Sequence, residues 1–173
     1  MHIGLATCSK LPDWEVDDRP LHAALEARAV DLSQPAWDDP DVDWASFDAV
    51  LIRTTWDYHH RREEFVSWCR KAAALTRFFN PASVVEWNTH KSYLKTFADH
   101  GIPTVDTIWL EQGAKIDLAA ECAQRGWSRA FIKPVIGANA AGTLRFDVHA
   151  EGLAAAAAHI AEHLPASPLM IQP

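Results

Sequence analysis

A chain of 173 residues, 49% hydrophobic and 23% charged, is one ordinary domain or two small ones, and its composition excludes collagen-like, disordered and coiled-coil classes. The formal net charge of -7 is uneven: residues 1–50 carry eleven Asp and Glu against three Lys and Arg, residues 51–145 nine against thirteen, and residues 146–173 three acids with no Lys or Arg. An acidic leading segment argues against a nucleic-acid face there, because phosphate contacts need cations, whereas the basic middle can hold a small phosphorylated ligand. In chain order, HIGLAT (2–7) reads as a buried strand followed by a loop, CSKLPDWEV. Leu21, Leu25 and Ala29 then recur at helical spacing, with Asp17 or Asp18 as N-cap and Pro20 in the first turn. A short strand is expected around Ala29–Leu32, and WDDPDVDWASFD reads as a loop with a helical turn. AVLIRTT (49–55) is the strongest strand signal, residues 61–75 form a helix with Phe65, Trp68, Cys69 and Ala72 on one face, and RFFN is a strand cut off by Pro81. Strand–helix alternation with continuously apolar strands predicts a parallel sheet with helices on both faces.

The second half predicts helices over PASVVEW and THKSYLKTFADH, the latter closed by Gly101, then a strand IPTVDTIWL and a helix DLAAECAQRG closed by Gly126. A strand AFIKPV, a small-residue loop GANAAG, a strand TLRFD, a helix EGLAAAAAHIAEHL and a strand PLMIQP follow. No apolar run approaches the ~18–20 residues of a membrane span, and MHIGLATCSK lacks the basic stretch and long apolar core of a secretory signal. Cys8, Cys69 and Cys122 are odd in number and form no CxxC pair, so neither a zinc knuckle nor a disulfide framework is indicated, and a cytoplasmic location is expected.

Three segments carry chemistry. In FIKPVIGANAAGTLRF a lysine, Lys133, leaves the end of an apolar strand. Gly137 and Gly142 in the following loop let backbone N–H groups approach phosphate oxygens; a plain hairpin loop with a solvated lysine is the other reading. Lys91 sits near the start of a helix, where a lysine opposes the helix dipole, a placement that suits attraction to an anion as well as an ordinary surface position. In LIRTTWDYHH a core strand ends in polar and aromatic residues, at the end of an α/β sheet where ligands bind. There Arg53 can clamp a carboxylate, Asp57 hold an amine, and Trp56 and Tyr58 wall a pocket; a structural Trp anchor beside an Arg–Asp pair is the alternative. His159 and His163 match HxxEH, but no third ligand is nearby, so no metal site is expected. GxxxxGK[ST], GxGxxG and GxSxG are absent.

Taken in order, NP-x5-WN-x2-K opening a helix, GIPTVDT, a strand ending in IKP, a small-residue loop and LMIQP resemble the front part of an ATP-grasp ligase, the superfamily of glutathione synthetase and D-alanine–D-alanine ligase. DDRPLHAAL, WDDPDVDWASFDAVLIRTTWDYH and FNPASVVEWNTHKSYL look closest to the bacterial group that includes the D-cycloserine-forming ligase. The resemblance implies an α/β fold. A small parallel-sheet pre-ATP-grasp substrate domain (1–86) would precede an incomplete ATP-grasp domain, its first subdomain (87–173). It implies ATP contacts by Lys91, Lys133, Gly137, Ala138, Gly142 and Gln172, and acceptor contacts by Arg53, Thr54, Trp56, Asp57 and Tyr58. The implied reaction is ATP-dependent carboxylate–amine (or related cyclising) ligation through an acyl phosphate, on a small amino-acid-like substrate. Neither nucleic acid nor membrane takes part, and homo-oligomerisation is left open. The family's Mg²⁺ ligands are expected beyond residue 173, so the chain is expected to be a fragment, inactive alone. The competing expectation is a flavodoxin-like module that binds a small ligand or a partner without catalysis.

Overall fold

A computed structural model describes residues 1–11 and 18–173. Two compact units emerge, Met1–Thr89 and His90–Pro173. The first contains β1 (His2–Thr7), α1 (Arg19–Glu26), β2 (Asp31–Ser33), β3 (Ala49–Thr54), α2 (Arg62–Leu75), β4 (Arg77–Phe79) and α3 (Ala82–Asn88), with 3-10 turns at Trp44–Ser46 and Tyr58–His60. Its sheet has the order β2-β1-β3-β4 and every pairing is parallel. Ile3 lies opposite Ala49 and Leu5 opposite Leu51, so the pleat sends these four side chains to one face, where Val30 and Leu32 join them. Ala6, Val50 and Ile52 point to the other face, against Trp37, Trp44, Phe65, Trp68, Cys69 and Ala72. Burial on both faces is why these strands read as unbroken apolar runs.

Helix α2 covers that second face with Phe65, Trp68, Cys69 and Ala72, at the i, i+3, i+4, i+7 spacing that puts four side chains on one stripe. Trp37 meets Phe65 edge-on at 5.2 Å between ring centroids, and Trp44 meets Trp68 at 5.0 Å. Edge-to-face geometry of this kind adds to the burial term.

The start of α1 differs from expectation. Asp18 precedes the helix, but its side chain makes no capping bond, because Arg53 takes the carboxylate. Asp17, the other candidate cap, lies outside the described residues, as does most of the loop after β1. The helix also stops at Glu26, short of Ala29, which is left-handed at φ 54 and donates its N–H to the Glu26 carbonyl at 2.8 Å. That turn reverses the chain into β2, so the strand begins at Asp31 rather than Ala29.

The second unit contains α4 (Tyr93–Asp99), β5 (Ile108–Leu110), α5 (Leu118–Arg125), β6 (Arg129–Pro134), β7 (Leu144–Asp147), α6 (Ala150–His163) and β8 (Leu169–Gln172). Its sheet is antiparallel throughout, in the order β5-β8-β6-β7. One face buries Ile108, Leu110, Ala130, Ile132, Phe146, Leu169 and Ile171 under Leu118 and Cys122 of α5 and Ala156 and Ile160 of α6. Strand β5 is shorter than the predicted IPTVDTIWL. It begins only at Ile108, and Ile102 and Val105 are exposed; Pro103, lacking an N–H, cannot serve a ladder there. Asp117 caps α5 by accepting the Ala120 N–H at 3.0 Å, and Gly126 closes it at φ 67. The turn from β7 into α6 admits only glycine at position 152, where a Cβ would fall 2.0 Å from the Asp147 carbonyl oxygen. Among the described residues no helix is long and apolar enough to cross a membrane.

Candidate functional site

The other face of the second sheet is the chemically loaded one. Phe131 pairs with Gln172 and Lys133 with Met170, and directly opposite residues share a face. Pairing of β6 with β8 thus carries Lys133 to Gln172, whose Oε1 accepts from the Lys133 Nζ at 3.2 Å. The Gln172 amide nitrogen donates to the Thr107 hydroxyl at 2.9 Å. The glutamine is a strut that aims the ammonium, with the Phe131 ring 5.6 Å from it. Its side-chain amide is therefore occupied within the protein.

Lys91 reaches the same place from the segment before α4. Its backbone N–H donates to the Val135 carbonyl at 3.0 Å, and its Nζ donates to the carbonyls of Gly137 at 3.0 Å and Pro134 at 3.1 Å. Burial, and then the neighbouring Lys133 charge, push its pKa below the ordinary lysine value. Among the described residues, both ammonium groups hydrogen-bond to neutral oxygens alone. Among the described residues no carboxylate lines the cavity, and two cations so placed are an arrangement that an anion relieves.

The cavity holds about 480 Å³ and is walled by both lysines, Phe131, Val105, Gln172 and the loop after β6. That volume falls within the range of ordinary small-molecule sites. The loop folds on itself: the Ala141 N–H donates to the Ala138 carbonyl and the Thr143 N–H to the Ala140 carbonyl, both at 3.0 Å. Asn139 and Ala140 are left-handed, at φ 53 and 57. Of the residues expected to contact ATP, Lys91, Lys133, Gly137, Ala138 and Gln172 line this one cavity. Gly142 does not. It turns at φ 66, where a Cβ would meet Pro134 Cγ at 2.8 Å, so closeness to proline already requires its lack of a side chain. Sequence reasoning missed Phe131, although it lies two residues before Lys133 and so on the same face. It also missed Thr107 and Val105, which carry no local signal.

In the first unit, the residues of RTTWDYH divide into two kinds. Thr54 is buried, with its hydroxyl on that of Thr7 at 2.7 Å. Asp57 is buried and accepts the Trp37 indole N–H at 2.9 Å, and Tyr58 packs on Phe65. All three have partners within the protein, and the Asp57 carboxylate expected to hold an amine accepts the Trp37 indole N–H. Trp56 is 39% exposed. The Arg53 guanidinium, expected to clamp a ligand carboxylate, grips the protein's own Asp18 through Nε and Nη2.

That grip makes a prediction. Hydrogen bonding from Arg53, opposed by burial, holds the Asp18 pKa below its ordinary 3.8. A depressed carboxylate pKa stabilises the fold above the unfolded value and loses that contribution as pH falls through the folded one. Acid denaturation of the protein should therefore steepen below about pH 4, and Asp18→Asn should flatten that limb, as measured by urea unfolding at pH 3 and 6. The effect will be modest, because Arg53 is 40% exposed at its side chain.

On α6 the His159 and His163 rings stack at 4.0 Å. Among the described residues no group of three or more His, Cys, Asp or Glu could hold a metal ion.

Residues 3–80 match the family model of the D-cycloserine synthetase DcsG N-terminal domain. The cycloserine biosynthesis protein DcsG of Streptomyces lavendulae is 32% identical over 126 residues, which is 71% of this chain and 42% of that protein. A crystal structure of D-cycloserine synthetase DcsG superposes at a TM-score of 0.83 with 27% identity, covering 100% of this chain and 59% of that one. The chain carries the fold of the N-terminal portion of an ATP-grasp ligase. A more distant D-alanine–D-alanine ligase from Bacillus anthracis, in complex with ATP, shares that fold at a TM-score of 0.65 and 14% identity, over 99% of this chain and 58% of that one. The chain thus spans about two fifths to three fifths of these proteins' lengths. The architecture is a small parallel sheet followed by a partial ATP-grasp fold.

Proposed function

We propose that the second unit binds the phosphates of ATP, and that the chain contributes this half-site to an ATP-dependent ligase joining a carboxylate to an amine or closing a related ring. The observation that carries this reading is the pair of lysines, Lys91 and Lys133, facing one cavity with, among the described residues, neutral oxygens as their hydrogen-bond partners. Phosphoryl transfer demands positioning and charge neutralisation more than covalent chemistry by the protein. The lysines supply cations, the loop Gly137–Ala141 supplies backbone close to the phosphates, and Phe131 with Val105 offers an apolar wall for a base. Transfer of the terminal phosphoryl group to a carboxylate oxygen makes an acyl phosphate, and the amine displaces phosphate from it. Mg²⁺, the usual companion of ATP, would add charge neutralisation; the described residues hold no carboxylate cluster fit for it, so the steps assigned to this chain are those of its lysines and loop.

For the acceptor we propose an amino-acid-like molecule held by the first unit, with Arg53 and Trp56 as the exposed contacts at the end of β3. The likeness to the cycloserine proteins supports that substrate class. The three buried free thiols, among them Cys69 with its pKa pushed up to about 12 by burial, suit a reducing cytoplasm.

Calorimetric titration of this chain with ATP and with adenosine tests the phosphate assignment. ATP should bind and adenosine should bind at least ~10-fold more weakly, since charge-assisted hydrogen bonds to the phosphates are worth about 1.5–3 kcal/mol each. Equal affinities would remove the assignment.

A further inference from the structure

Helix α6 carries a histidine pair to the back of the loop that walls the cavity, and neither ring lines the cavity itself. His159 Nε2 lies 2.9 Å from the Gly142 carbonyl oxygen. A carbonyl only accepts, so the proton is on Nε2. His163 braces this ring. It stacks on it at 4.0 Å with 21° between the planes, and its Nδ1 donates to the His159 backbone carbonyl at 3.1 Å. Gly142 is wedged between this pair and Pro134, with a Cβ position 3.5 Å from His163 Cδ2 and 2.8 Å from Pro134 Cγ.

The consequence runs through one peptide plane. In a trans peptide the C=O and the following N–H point in opposite directions. Holding the Gly142 carbonyl on His159 therefore turns the Thr143 N–H the other way, into the loop, where it donates to the Ala140 carbonyl at 3.0 Å. Ala140 is one of the two left-handed residues of the crown, a conformation a residue with a Cβ keeps only when its surroundings impose it. At the near end of the loop, Lys91 does the matching task by gathering the carbonyls of Pro134 and Gly137. The loop thus has two fixed feet and a crown, Ala138–Ala141, that faces the cavity.

We infer that His159 is a positioning residue for the phosphate loop: its hydrogen bond to Gly142 orients the Gly142–Thr143 peptide and so sets the crown in its ligand-facing shape. This inference rests on the proposed role of the loop in ATP binding, but the latch itself is a separate physical claim. Glutamine places a side-chain N–H at about the reach of His Nε2, so His159→Gln keeps the donor and His159→Ala removes it.

The test follows backbone amide exchange by NMR, and ATP affinity by calorimetry, in the 173-residue chain and both variants. In His159→Ala the Thr143 amide should exchange about 2- to 10-fold faster, the equivalent of one hydrogen bond. The Ile160 amide, inside α6, should keep its protection and report that the helix is intact. ATP affinity should fall by a similar factor, and His159→Gln should restore both readouts. Unchanged Thr143 exchange in the alanine variant overturns the latch, and so does a glutamine variant that behaves like alanine. If the original chain fails to bind ATP while Thr143 still responds to His159→Ala, the latch stands and the phosphate assignment falls. If ATP binds and no variant alters either readout, the phosphate assignment stands and the latch falls.

Discussion

Lys91→Ala should weaken ATP binding by roughly 10- to 100-fold, the loss of one charge-assisted contact to phosphate. Calorimetric titration measures it, and an affinity within about twofold of the original would remove Lys91 from the site, since that is less than one ordinary hydrogen bond. Lys133→Ala is the informative companion. Lys133 leans on the side chain of Gln172, so its removal deletes a cation and leaves the loop in place. Lys91 also gathers the carbonyls of Pro134 and Gly137, so its removal loosens the near foot of the loop as well. The Lys91 variant should therefore lose more affinity than the Lys133 variant and show faster amide exchange in residues 137–141. The lowered Lys91 pKa adds a pH signature. The charged form is the binding form, and it deprotonates below the ordinary 10.5, so ATP affinity should begin to decline on the alkaline side earlier than a solvated lysine would dictate. Bound phosphate, favouring the cation, moves that decline back towards the ordinary value.

The second large effect is on stability. Phe65 is 2% exposed and sits among Trp37, Tyr58 and Trp68. Phe65→Ala leaves a void that these large, mutually braced rings cannot close, so it should destabilise the first unit by about 3–5 kcal/mol. Trp37, Trp44 and Trp68 belong to that same cluster, so intrinsic fluorescence follows its unfolding in urea. A midpoint shift worth less than about 1 kcal/mol would mean that the cluster repacks, and the ring contacts would carry less of the stability than their burial implies. ATP affinity is the useful control, because the proposed phosphate contacts lie on the second unit.

Legibility of the fold from the residues followed the strength of local pattern. Strands β1 and β3 and helix α2 were readable because two-sided burial and the 3.6-residue stripe write themselves into consecutive residues. The end of α1 was not, since a left-handed alanine at position 29 is imposed by the chain reversing into β2 rather than by alanine's own preference. Asp18 had the look of a helix cap, but a charge-assisted pair with Arg53, 35 residues away, outcompetes a neutral backbone N–H. Strand β5 lost its first two thirds, residues 102–107, because apolar residues alone do not make a ladder. The site was half legible. Lys91, Lys133 and the small-residue loop stand out as residue types, yet their convergence depends on the β6–β8 pairing and on Lys91 being strapped to Val135. Gly142 was not placed by its residue type, because a glycine in a loop does not say which neighbour comes close.

The glutamine strut has one more consequence. Gln172 holds Lys133 by a neutral oxygen, and its other end is anchored on Thr107. A carboxylate of the same shape would hold the lysine more firmly, but it would also cancel its charge and repel a triphosphate. An amide at this position gives orientation without neutralisation. It is the choice expected where a cation must stay both aimed and electrically unanswered until an anion arrives.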